Sequence, residues 1–315
     1  MKINRRCAFA GMTVAAFIAT IPIWAAPPSP TAVPAQLTQM VVAVLPAHPG
    51  GSAPIDLQAQ DLTVIQGKTQ MPVLRLERLA FDLAGMQLFI LLDDSTRSSS
   101  LSLHLPELRE FIKSLPATTQ VAVGYVRNGT LAQPAEFTTE HQNAIDSLRL
   151  PLATPGGNGS PYFGLSDLVK HWPSKELTGR RAVLMLTDGE DRYYGSGTID
   201  DPYVDASIRD ALQNGVAVYS IYLRGAGLYG GSEWVKNVAQ SRLIEVGKAT
   251  GGFAYFEELI DPVTIAPFLN DFHERLENQY KLTFATLKEH GLQPVKLRTE
   301  LHDVKVDYPA QVFVR

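Results

Sequence analysis

A chain of 315 residues with 45% hydrophobic and 19% charged residues is globular, with room for one large domain or a domain and a smaller companion. Its formal net charge of −4, without a polybasic run, excludes an electrostatic nucleic-acid binder. The one cysteine, Cys7, excludes an internal disulfide and leaves the fold dependent on its core.

In chain order, Lys2, Arg5 and Arg6 precede a nearly continuous apolar run from Cys7 to Ala26, ending in Trp24-Ala25-Ala26. A basic start, an apolar stretch and small residues at its end read as a signal peptide over residues 1–26, which implies an extracytoplasmic (periplasmic or secreted) protein. The run is long enough to serve as a membrane anchor if it is not cleaved. Arg5-Arg6 leaves general and twin-arginine export both open. Residues 27–37, with Pro27, Pro28, Pro30 and Pro34, read as a linker.

Over residues 38–80 three short β-rich runs follow, Met40 to Leu45, Leu62 to Ile65 and Val73 to Leu76, with Gln66-Gly67-Lys68 as a hairpin turn. From Met86 strands and helices alternate. Leu88 to Leu92 is a continuous apolar run, the pattern of a strand buried on both faces. Leu108, Phe111, Ile112 and Leu115 then fall at helical spacing. Gln120 to Arg127 is a second strand, and Asn128-Gly129 predicts a tight hairpin into an antiparallel edge strand over Thr130 to Phe137. Glu140 to Leu150 reads as a short helix, and a Gly-rich loop, residues 155–161, opens another.

Ala182 to Leu186 is a further buried strand, ending in Thr187-Asp188-Gly189-Glu190-Asp191. Helices over Asp205 to Leu212 and Trp234 to Lys248 flank a strand at Val216 to Leu223; Phe253 to Phe256 is a last strand, and Ile265 to Leu276 carries the stripe of a final helix. Beyond Asn278, Tyr280 to Leu287, Val295 to Leu301 and Gln311 to Val314 return to β texture. The alternation predicts a doubly wound, Rossmann-like sheet over residues 84–279, mostly parallel with one antiparallel edge. Neither flanking β trio covers itself, so residues 38–80 and 280–315 are expected to pair as two halves of a small β-sandwich with the α/β domain inserted between them.

Ligand sites of open α/β sheets lie at the C-terminal ends of the strands. There the chain places Asp93, Asp94, Ser95, Thr96, Arg97 and Ser98 after one strand and Asp188 after another, with Ser160 at a helix start. Acids mixed with hydroxyls are hard oxygen donors suited to Mg²⁺, Mn²⁺ or Ca²⁺; the same residues also serve as helix caps. No Gly-x-Ser-x-Gly elbow occurs, the loop GGNGS lacks a P-loop lysine, and His273-Glu274 lacks the second His of a helical zinc motif.

The combination resembles the von Willebrand factor A (VWA) domain and its metal-ion-dependent adhesion site, most closely a secreted bacterial VWA-related group with flanking β segments. The resemblance implies metal ligands at Asp93, Ser95, Ser160 and Asp188, binding Mg²⁺ (or Mn²⁺ or Ca²⁺), with Asp94, Thr96 and Ser98 as an alternative register. Arg97 stands where the family has a second Ser, so it either takes the cation's place inside the site or lies at its edge. Arg97, Asp191, Tyr193 and Tyr194 are then expected to form a partner-binding rim. The implied function is non-enzymatic adhesion-type binding of a protein or glycan, with an acidic group of the partner completing the metal shell. The rival readings are a metal-dependent hydrolase or enzyme accessory using Asp93, Asp94 and Asp188, and a structural envelope component with a vestigial site.

Overall fold

The computed structural model describes residues 36–48, 57–79, 85–132, 136–154, 157, 159–176, 180–224, 232–258, 260–286 and 290–314. All of these belong to one compact unit, Pro34–Arg315. The signal segment, most of the linker, Gly156 and the Gly-rich stretch 225–231 lie outside the described residues.

The elements run β1 (Gln36–Pro46), β2 (Leu62–Gln66), β3 (Thr69–Met71), β4 (Val73–Arg78), β5 (Met86–Asp93), α1 (Ser98–Ser114), β6 (Thr119–Arg127), β7 (Thr130–Leu131), α2 (His141–Asp146), α3 (Pro161–Lys170), β8 (Arg180–Thr187), α4 (Pro202–Gln213), β9 (Val216–Tyr222), α5 (Glu233–Thr250), β10 (Ala254–Tyr255), α6 (Ala266–Glu277), β11 (Gln279–Thr286), β12 (Gly291–Pro294), β13 (Lys296–Thr299), β14 (Val304–Asp307) and β15 (Gln311–Val314).

One six-stranded sheet has the order β10-β9-β8-β5-β6-β7, parallel except for β7, which pairs antiparallel with β6. All eight residues of β5 are buried. The reason is alternation: Met86, Leu88, Ile90 and Leu92 pack with α1, α2 and α6, whereas Phe89 and Leu91 pack with α3 and residues of α4 and α5. The β6–β7 turn is built as the Asn-Gly pair demands, with Asn128 at φ 53° and Gly129 at φ 80°. The antiparallel partner is shorter than expected, two residues instead of eight. A single bridge, Val121 with Thr138, is the further contact near its expected end.

The flanking strands form the frame. Its largest sheet has the order β14-β1-β11-β4, so strands from before and after the α/β block pair directly, Gln36↔Thr286 through Ala43↔Gln279 and Tyr280↔Arg78 onward. A second layer holds β13-β2-β3 and the pair β12-β15. Met40, Val42 and Val44 from one layer meet Val64, Leu297 and Val312 from the other in a separate apolar core. The frame is therefore a sandwich whose two halves are separated in sequence by the α/β block. It has more strands than the composition runs suggested. β3, β12 and β14 are three, four and four residues long, too short to show a run of their own. β1 starts at Gln36, two residues inside the segment read as linker.

Candidate functional site

The chain leaves β5 for β6 on one side and later returns to β8 on the other, which opens a crevice at the C-terminal ends of β5 and β8. Three loops meet there. In the first, Asp93 closes its own turn: Oδ1 accepts the Ser95 amide at 2.9 Å and the Ser95 hydroxyl at 2.7 Å. Its Oδ2 accepts the Thr187 hydroxyl from the end of β8 at 2.9 Å, which ties the first loop to the third.

Ser160 sits at the start of α3, where its hydroxyl accepts the Phe163 amide at 3.1 Å and Pro161 occupies the first turn. That hydroxyl donates to Asp191. The Arg192 amide donates to the Gly159 carbonyl at 2.9 Å and the Tyr162 hydroxyl to the Gly189 carbonyl at 2.9 Å, so the second and third loops are also joined. Gly189 has φ 67°, and a side chain there would meet the Ala239 carbonyl and Leu243 of α5 at 3.0 Å, so the turn after Asp188 requires glycine.

A pocket of about 150 Å³ lies between the loops, its lining including Asp93, Ser95, Thr154, Ser160 and Glu190 together with Arg127 and Asn128. Asp188 is fully buried behind it. Arg192 reaches Asp188 Oδ2 at 2.5 Å and Glu190 Oε2 at 3.1 Å. Burial pushes the Asp188 carboxyl well above the usual range; Arg192 opposes the shift, while Asp93 and Glu190 add to it. Asp188 and Glu190 thus share one guanidinium, with Asp93 held separately by Ser95 and Thr187.

The sequence-predicted residues divide. Asp93, Ser95 and Ser160 line the pocket, whereas Asp188 is fully buried, paired with Arg192, and not part of the lining. Asp94 turns the other way: Arg127 Nε and Arg149 Nη1 donate to it at 2.7 Å, and the Leu152 amide at 2.9 Å. Burial alone would raise the Asp94 carboxyl, but these donors outweigh it and hold it low. Thr96 bonds the Asp93 carbonyl at 2.9 Å and Ser98 begins α1, so the three residues of the alternative register do not converge. Arg97 is exposed at the helix start and does not act as the internal cation; Arg192 does.

Asp191 is buried and holds the Tyr193 and Tyr194 amides at 2.9 and 2.8 Å, a positioning role in place of a rim contact. Tyr193 and Tyr194, 70% and 48% exposed, pack edge-on against Tyr203, as does Phe163 at 45% exposure. Glu190 was given no role from the sequence, and Arg192, placed there in the acidic and aromatic loop beside Asp188, was not read as the internal cation, although both lie in the run TDGEDR directly after the apolar strand.

Among the described residues no three His, Cys, Asp or Glu side chains converge on one point. A carboxylate cage of the Ca²⁺ type is therefore not built. One or two carboxylates with hydroxyls and room for water is instead the donor set that suits Mg²⁺ or Mn²⁺. Asp93, Ser95, Ser160 and Glu190 bring oxygens of that kind to the pocket lining.

The six-stranded mostly parallel sheet, wound on both faces and set in antiparallel sheets, is a VWA-like Rossmann fold. No protein-family model matches the chain, and no curated protein does. Similar solved structures include an aerotolerance-related membrane protein from Bacteroides fragilis NCTC 9343, 14% identical over 61% of this chain and 98% of that one, with a TM-score of 0.43. BatB from Bacteroides thetaiotaomicron is 14% identical over 60% and 97%, with a TM-score of 0.39. The pilus adhesin SpaC from Lactobacillus rhamnosus GG is 8% identical over 85% of this chain and 48% of that one, with a TM-score of 0.43. None of these similarities bears on what the chain binds.

Proposed function

We infer that the chain is a non-enzymatic, extracytoplasmic binding protein that engages a protein or glycan partner at the rim of the β5–β8 crevice. The observation that carries this reading is the juxtaposition of the oxygen-lined pocket with the exposed aromatics Tyr193, Tyr194 and Phe163 around Tyr203. Aromatic side chains held rigidly beside a polar pocket supply contact area at low entropic cost. Mg²⁺ or Mn²⁺ at Asp93, Ser95, Ser160 and Glu190 would offer an open position to an acidic group of the partner. Export rests on the basic start and apolar run of residues 1–26; no described helix is long and apolar enough to cross a membrane.

A second reading has one specific observation behind it. Arg192 against Asp188 is a built-in cation, and a rim that binds its partner through aromatics and loop amides needs no metal. The two readings part in one experiment, capture of envelope protein and glycan fractions with and without a chelator. Partner capture that is lost both in Tyr193→Ala/Tyr194→Ala and on chelation supports the metal-linked reading. Capture lost in the double variant but indifferent to chelator supports the second. Capture by the double variant equal to that of the unchanged chain refutes both.

A further inference from the structure

The aromatic side chains of the rim come from two helix starts and one loop. Phe163 stands in the first turn of α3 and Tyr203 in the first turn of α4, while Tyr193 and Tyr194 follow β8 with their amides fixed by Asp191. Phe163, Tyr193 and Tyr194 meet the Tyr203 ring at centroid distances of 5.5, 6.0 and 6.1 Å, inclined to it by 69°, 67° and 90°. Rings packed through their edges leave faces uncovered, and a side chain as exposed as Tyr193 has at least one face open to solvent.

Among the described residues no cation lies over these four rings, although the protein makes that contact elsewhere. Arg149 stands over Tyr125 at 3.7 Å, Arg181 over Trp172 at 5.6 Å, and Arg275 over Phe253 at 4.0 Å. The exposed charge beside the rings is negative: of the charged residues from 189 to 205, only Asp200 and Asp205 are exposed. Neither side chain has a hydrogen bond or ion pair among the described residues. The nearby cations are already committed, Arg192 to Asp188 and Glu190, Arg242 to Asp201 at 3.1 Å, and Arg127 to Asp94. Burial and then Asp205 raise the Glu245 carboxyl of α5 above its ordinary value, with Arg242 opposing and Asp200 adding, so the field of the two exposed acids reaches the neighbouring helix.

We propose that Phe163, Tyr193, Tyr194 and Tyr203 are the receptor for a cationic side chain, Arg or Lys, of a protein partner, with Asp200 and Asp205 supplying the attraction. This rests on the rim being the partner-binding surface and names what its aromatics take; an acidic group at the pocket is a separate contact. A cation over a ring face is drawn by the negative quadrupole of the ring, and a guanidinium adds planar stacking. Exposed carboxylates steer a basic segment towards the rings. A neutral glycan would use the ring faces but leave both carboxylates unanswered, and an acidic segment laid over the rings would be repelled by them.

The test titrates the full chain with three capped peptides of one length, alike except that two positions hold Arg, Gln or Glu. The Arg peptide should bind saturably and about tenfold or more tighter than the Gln peptide, with affinity falling as salt is raised. Tyr193→Phe keeps the ring and should bind the Arg peptide as the unchanged chain does. Tyr193→Leu keeps apolar area without the ring and should bind it about threefold or more weakly. Equal binding of the Arg and Gln peptides, tighter binding of the Glu peptide, no binding of the Arg peptide at about 1 mM, or full binding by Tyr193→Leu would overturn the proposal. If one of these occurs while Tyr193→Ala/Tyr194→Ala still loses partner capture, the cation assignment falls alone and the rim reading stands. Capture that survives in the double variant removes the rim reading and this proposal with it.

Discussion

A carboxylate and a guanidinium that leave water together must find each other, and the rim shows two such pairings with different consequences. Asp94 is fully buried and collects Arg127, Arg149 and the Leu152 amide, so it braces β6 and residues 149–152 against β5. Removing a buried partner costs about 3–5 kcal/mol; because the Arg127 and Arg149 side chains are 38% and 26% exposed, water recovers part of this. Asp94→Ala should therefore lose about 2–4 kcal/mol in denaturant unfolding. Arg97→Ser should change stability by no more than about 0.5 kcal/mol, because that side chain is exposed. A large loss in Arg97→Ser would mean that Arg97, and not Arg192, is the internal cation. The acids were visible in the sequence because two carboxylates after an apolar run are conspicuous. Which of the two faced the pocket depended on contacts 33 to 94 residues apart in sequence, whereas the balancing Arg192 lies only four residues from Asp188.

Elements whose signal is local were legible in the chain. The all-apolar run of β5, the Asn-Gly turn and the helical stripe of α6 each follow from spacing within a few residues. Short strands paired at long range were not, because β14 and β12 acquire their structure from β1 and β15. One contact between elements carries a pH dependence. Glu107 of α1 accepts the Ile265 amide at 3.0 Å, the Thr264 hydroxyl, and a contact from His104 at 3.1 Å, and so pins the start of α6. Burial alone would raise its carboxyl, but these donors prevail and hold it below the ordinary value of 4.5. A lowered folded-state pKa gives stability that is present above the unfolded value and lost as pH falls through the folded one. Melting temperature should consequently fall on acidification below about pH 4.5 more steeply for the unchanged chain than for Glu107→Gln. Parallel pH profiles for the two would show that the contact contributes nothing.

At the scale of the whole molecule, β11 lies between β1 and β4 and so closes the chain around the α/β block. Leu282 of β11 is fully buried in the frame core, and Leu282→Ala should cost about 2–5 kcal/mol. Truncation before Gln279 should go further, removing the frame's cooperative transition altogether; an unchanged melting curve would contradict a shared sandwich. The frame holds one end of the parallel sheet and leaves the other clear of it, with Phe163, Tyr193 and Tyr194 exposed beside a buried cluster of acids and hydroxyls. That division is the basis for reading the rim as a binding surface completed by a divalent cation. The most direct measurement is isothermal titration of Mg²⁺ and Mn²⁺ into the chain and into Asp93→Asn, with melting curves alongside. An ion that binds the folded chain raises stability by about 2.7 kcal/mol at a hundredfold excess over Kd. The account predicts saturable binding and a raised melting temperature in the unchanged chain, both lost in Asp93→Asn; no heat and no shift at millimolar ion in the unchanged chain would contradict it.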